Sequence, residues 1–183
     1  MGRTGLGSLF LAGALALAAC GSDIPSPAEQ LQAEGQAEPV REDAVVLKGD
    51  GLAAGAEAFL FAAGRSEVEY ALERVLGEPS GRLSNDECGA GPMNFTNFDG
   101  GLTVNFQDGR LVGWYFDEPN AAISTATGLT VGTARDEVMA TRGFSALEES
   151  TLGEEFAVGD QLGGFLDDDA VSGLYAGTNC FFR

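Results

Sequence analysis

Leu102-Thr103-Val104-Asn105-Phe106-Gln107-Asp108-Gly109-Arg110-Leu111-Val112-Gly113-Trp114-Tyr115-Phe116 is the stretch whose reading decides the fold. Leu102 to Gln107 alternates apolar and polar residues, the pattern of a strand with one buried face. Asp108-Gly109 is the strongest short hairpin signal, so Arg110 to Asp117 returns as an antiparallel partner. A two-residue turn sets Gln107 opposite Arg110, Phe106 opposite Leu111, Val104 opposite Gly113 and Leu102 opposite Tyr115. The last three of these pairs form an apolar, core-facing side. Thr103, Asn105, Val112, Trp114 and Phe116 fall on the other side. Aromatic residues in a polar setting are what a protein-binding surface shows, so these five are the candidate partner-binding residues. A bulged turn would exchange the faces, because a one-residue slip flips every side chain.

Other elements extend outward from this hairpin. Met93 to Phe98 is a preceding strand. Upstream, Val68, Ala71, Leu72, Val75 and Leu76 lie on one face of a helix over 65–76, which Gly77-Glu78-Pro79 stops. Val45 to Leu47 is a short β-prone run, and Leu52 to Ala63 reads equally as helix or strand. Ser80 to Gly91 is a polar loop carrying Cys88. Gly132-Thr133-Ala134-Arg135-Asp136-Glu137-Val138 echoes Ala62-Ala63-Gly64-Arg65-Ser66-Glu67-Val68 at an offset of 70, with Thr133 placed as a cap for a second helix. Short strands follow at Glu155 to Val158, Leu162 to Leu166, Val171 to Tyr175 and Cys180 to Phe182. Asp167-Asp168-Asp169 occupies the place of Asp108-Gly109. The expected fold is α+β: two tandem helix-then-antiparallel-strand units, over 44–119 and 120–183, with helices packed on one face of an antiparallel sheet.

The amino terminus carries a different kind of information. Arg3 and the apolar run Leu6 to Leu17 form a short export signal over 1–19. Only about 15 apolar or small residues precede Cys20, fewer than the ~20 a membrane-spanning helix needs. Leu17-Ala18-Ala19-Cys20 resembles the bacterial lipobox. The resemblance implies cleavage before Cys20, a diacylglycerol thioether on its sulfur and acylation of the new amino terminus. Residues 20–43 are polar, acidic and proline-containing, too poor in large apolar side chains to fold alone. They read as a linker holding the domain about 25 Å from the membrane. Gly21 after the lipidated cysteine resembles the pattern sorted to the outer membrane in a Gram-negative cell.

Charge and cysteine count narrow the function classes. The chain of 183 residues has a net charge of −18, one lysine and no histidine. Nucleic acid, which demands a basic footprint, is excluded as a partner, and membrane attachment falls to the lipid. With Cys20 acylated, Cys88 and Cys180 are the remaining pair, and an oxidising compartment favours a disulfide between them. In the chain-entropy model such a loop contributes ~4 to 5 kcal/mol.

No catalytic constellation stands out. Histidine-based triads and histidine-metal sites are absent from the composition. Lys48 has no S-x-x-K around it, and Gly49-Asp50-Gly51 is followed by Ala54 where a dinucleotide loop needs glycine. Asp167-Asp168-Asp169 lacks calcium-loop spacing and reads as a solvated turn. No cofactor and no metal are expected. A carboxylate-dependent hydrolase acting on envelope glycan is the alternative to a non-catalytic binding module.

Gly132 with Val138, and Leu76-Gly77-Glu78-Pro79 before a hairpin, resemble the SmpA/OmlA (BamE-like) family and the fold of the β-lactamase inhibitor protein, which joins two such units. Ala62 stands where the second unit has Gly132, and the second unit lacks Gly-x-Pro. The resemblance implies an antiparallel sheet with one face free to meet a protein partner.

Overall fold

Asp108 and Gly109 both take positive φ, 48° and 73°, as a two-residue type I′ turn requires. Gln107 faces Arg110 and Phe106 faces Leu111, as the alternation demands. One residue further the register shifts, because Val112 is an extra residue. Gly113 then pairs with Asn105, Trp114 with Val104, and Phe116 with Leu102. Such a bulge reverses the facing of every later side chain. Trp114 and Phe116 are therefore fully buried beside Leu102, Val104 and Phe106. The expectation that Trp114 and Phe116 anchor a partner on an open face is corrected by this parity change: they are core.

The structure is a computed structural model that describes residues 42–181, so the signal segment, Cys20 and most of the linker lie outside the described residues. In chain order the strands are β1 (Val45–Lys48), β2 (Gly51–Ala54) and β3 (Glu57–Leu60), then helix α1 (Arg65–Leu76). Next come β4 (Gly81–Asn85), β5 (Met93–Phe98), β6 (Leu102–Gln107), β7 (Arg110–Phe116) and β8 (Ile123–Thr125). Helix α2 (Arg135–Met139) precedes β9 (Phe144–Leu147), β10 (Glu154–Val158), β11 (Leu162–Asp167) and β12 (Ala170–Gly177). A four-stranded sheet has the order β3-β2-β1-β8, and an eight-stranded sheet the order β4-β5-β6-β7-β12-β11-β10-β9. The large sheet is antiparallel throughout, whereas β8 joins β1 in parallel.

This architecture replaces the expected pair of α+β units. Strand accounts for 46% of the structure and helix for only 12%. Among the described residues three strands precede α1, β8 leaves its neighbours to join β1, and pairing of β7 with β12 makes one continuous sheet. Leu52 to Ala63 resolves into the β2–β3 hairpin, closed at Gly55 and Ala56. Helix α2 has five residues and Ala134 at its N-cap, while the Thr133 hydroxyl accepts the Thr130 N–H instead. Polar Gly81–Asn85, expected as loop, is an edge strand. Cys180 and Phe181, the described part of the strand expected over Cys180 to Phe182, belong to neither sheet.

The same backbone hydrogen bonds tie each helix start to a hairpin. Arg65 N–H donates to Gly109 O and Arg135 N–H to Asp169 O, while Leu111 donates to Ala63 and Val171 to Thr133. In β11–β12 the register also shifts at one residue, Ser172, before Gly173 pairs with Phe165.

Trp114 joins the two sheets. Its indole N–H donates to the Lys48 carbonyl at 2.9 Å and the Gly51 carbonyl at 3.1 Å, which satisfies its polar edge where β1 turns into β2. Helix α1 buries Val68, Ala71 and Leu72 and sends charged groups to β4 and β5. Arg65 bonds Glu69 at 2.7 Å and lies 5.2 Å over the Phe106 ring. Arg82 reaches Glu69 at 3.1 Å, and the Thr96 hydroxyl also donates to Glu69. Burial raises the Glu69 pKa, but hydrogen bonds from Arg82, Thr96 and Arg65 outweigh it and the net shift is downward.

Two outcomes follow. Trp114→Ala will lose about 3 to 5 kcal/mol in urea unfolding, since it removes a buried aromatic and its hydrogen bonds to two carbonyls; native Trp114 emission will be blue-shifted and inaccessible to iodide. Glu69 has a folded pKa below its ordinary 4.5. Its stabilisation is complete above that value and is lost as pH falls through the depressed one. The stability gap between wild type and Glu69→Gln, measured by denaturant midpoints, will be widest near neutral pH and will close on acidification.

Candidate functional site

The face of the eight-stranded sheet opposite Trp114 carries a cluster of half-buried aromatic side chains. Tyr115 of β7 and Tyr175 of β12 are direct cross-strand partners at the centre of the sheet. Phe165 of β11 lies 5.4 Å from Tyr175, measured between ring centroids. Phe181 stands edge-on to all three, at 5.8 Å from Tyr115, 5.4 Å from Phe165 and 5.1 Å from Tyr175. Edge-to-face contacts at these separations are the favoured aromatic geometry.

Two glycines make the cluster lie flat. A Cβ on Gly173 would meet the Tyr115 ring, and one on Gly163 would meet the Tyr175 ring. Each tyrosine therefore rests across the neighbouring strand rather than standing away from the sheet.

The carboxy-terminal segment crosses this face and supplies Phe181. Its Thr178 N–H donates to the Val112 carbonyl at 2.8 Å, the carbonyl of the bulged residue. Asn105, 1% exposed, donates through Nδ2 to Thr178 O at 2.9 Å and to Asn179 Oδ1 at 2.8 Å. Cys88 and Cys180 form a disulfide with Cα atoms 5.5 Å apart, pinning the segment to the β4–β5 loop.

Of the five candidate partner-binding residues, then, Asn105 and Val112 hold the carboxy-terminal segment, and Trp114 and Phe116 are core. Thr103 is half-buried on this face and donates to Asn97 Oδ1 at 3.1 Å.

Electrostatics around the aromatics are acidic. Tyr175 donates its hydroxyl to Glu155, a carboxylate only 2% exposed. Burial, and then the Asp117 charge, push the Tyr115 phenol above its ordinary value. Burial, and then Glu118, raise the Asp117 carboxyl. Two open cavities flank the cluster. One of about 630 Å³ runs between the β1–β2 turn and Tyr175; one of about 510 Å³ lies at the bulge of β12, bounded by Tyr115, Phe165 and Phe181. Among the described residues no group of three or more His, Cys, Asp or Glu is placed to hold a metal ion, and Asp168-Asp169 is the β11–β12 turn.

Comparison with family models, with curated proteins and with solved structures finds no match. Nothing in those comparisons identifies a relationship to the SmpA/OmlA family or to the β-lactamase inhibitor protein.

Tyr115, expected opposite Leu102 on the core-facing side, is turned to this face by the Val112 bulge and pairs with Thr103 instead, and Phe165, Tyr175 and Phe181 are not singled out by the sequence reading. The signal that could have found two of them is Gly113-Trp114-Tyr115 against Gly173-Leu174-Tyr175, an offset of 60 with an aspartate-led turn five residues before each glycine.

Replacing both Cys88 and Cys180 by Ser will lower stability by about 2 to 5 kcal/mol. It will also free Phe181, so the Tyr115 and Tyr175 ring resonances will shift toward solvent values in aromatic NMR spectra.

Proposed function

We propose that this chain is a non-catalytic binding module of the bacterial envelope, attached by lipid on Cys20 and meeting a protein partner with the aromatic sheet face. One observation carries the reading: four half-buried rings, Tyr115, Phe165, Tyr175 and Phe181, held flat and crosslinked on a face whose central position is the β7–β12 junction. Large apolar groups at a sheet surface serve protein interfaces, where a few aromatic anchors supply most of the affinity. Two sequence features set the context. The export signal ending in Leu17-Ala18-Ala19-Cys20 delivers the domain to the envelope, on the periplasmic side of the outer membrane in a Gram-negative cell. The linker gives it reach.

Rigidity supports the same use. A surface already ordered by a disulfide and by the Asn105 bonds loses little entropy on binding, which favours affinity without requiring a large contact area.

Crosslinking in intact envelopes followed by capture of the chain tests the reading. Phe165→Ser with Tyr175→Ser will lose the captured partner by about tenfold or more, the loss expected of a hot-spot pair. Unchanged Trp114 emission will show that the core persists. Undiminished capture by the folded variant would remove the aromatic face from the interface.

A further inference from the structure

The cavity at the bulge of β12 has a composition that selects one kind of occupant. It is about 510 Å³ and is walled by the rings of Tyr115, Phe165 and Phe181, with Ser172, Glu154 and Asp167 on its rim. Aromatic faces are electron-rich and attract cations, the more so where carboxylates stand nearby. Asp168 and Asp169 follow Asp167 directly, and Asp117 acts electrostatically on Tyr115. The rim already binds a guanidinium: Arg135 donates to the Glu154 carboxylate, at 2.9 Å through Nη2, and to the Asp168 carbonyl. That ion pair satisfies Arg135 and leaves Asp167 as a further carboxylate at the mouth. Between residues 42 and 181 the chain has 24 acidic and seven basic residues, so a cationic partner also meets a favourable long-range field.

We infer that this cavity receives an arginine side chain of the partner protein, its guanidinium stacked among Tyr115, Phe165 and Phe181 and turned toward Asp167. The planar guanidinium suits the site better than ammonium, because it stacks on rings while its edge donates to carboxylate. The inference rests on the binding reading above and specifies its chemistry. It also gives the aspartate run of the β11–β12 turn a role other than metal binding.

The test titrates the full-length protein with N-acetyl-arginine amide and, separately, with N-acetyl-citrulline amide, which keeps the shape and removes the charge. Aromatic resonances of Tyr115, Phe165 and Phe181 are followed. Saturable shifts with arginine, weaker by about tenfold or more with citrulline, are expected from the cation–π and carboxylate contacts. Asp167→Asn, exposed at the end of β11, will weaken arginine binding several-fold, and Phe165→Leu will do the same. Glu148→Gln with Glu149→Gln, which removes two charges elsewhere, will leave it unchanged. Equal binding of citrulline, equal loss in the Glu148/Glu149 variant, or no saturable shift would each overturn the inference. If partner capture still depends on Phe165 and Tyr175 while the arginine titration fails, the binding face stands and only its arginine specificity falls.

Discussion

One extra residue, Val112, constrains the rest of the molecule. By interrupting the β6–β7 ladder it turns Trp114 and Phe116 inward, and the indole of Trp114 then fastens the small sheet to the large one through two carbonyls. On the other side the same bulge leaves the Val112 carbonyl to receive Thr178, which starts the carboxy-terminal segment across the sheet. Ser172 plays the corresponding part in β12 and brings Tyr175 beside Tyr115. Core and surface are thus set by one backbone irregularity on each of two neighbouring strands.

Local signals were legible and their long-range consequences were not. The Asp108-Gly109 turn, the spacing that forms α1 and the Cys88–Cys180 pairing could be read because each depends on short patterns or on elimination. The facing of Trp114 could not, since a bulge leaves no composition signal and parity after it reverses. Strand β4 is polar because it is an edge, so it imitates a loop. The α+β reading failed because α2 is short and because β8 and β12 pair with strands that lie far away in sequence. At the candidate site, Thr103 and Asn105 were correctly turned away from the core. The aromatic cluster escaped notice because its members come from three strands and a terminal segment.

The acidic surface and the aromatic face work together in the proposed role. In that role the net negative charge draws a cationic partner from a distance, while the rings supply contact area at close range. The tyrosines lie flat because glycines lie beneath them, so the face is smooth and its shape is fixed before binding. Specificity then rests on a small number of deep contacts rather than on broad charge matching.

The disulfide has a consequence for maturation. Its cysteines are 92 residues apart, and the intervening chain includes every strand from β5 to β12. In the native chain the thiols are held together by the pairing of β7 with β12, a contact of high sequence separation of the kind that forms slowly. Oxidation of this pair is in effect a receipt for assembly. A chain population can be sorted by whether Cys88 and Cys180 are joined, a chemical mark that separates molecules with the carboxy-terminal segment fastened from those without.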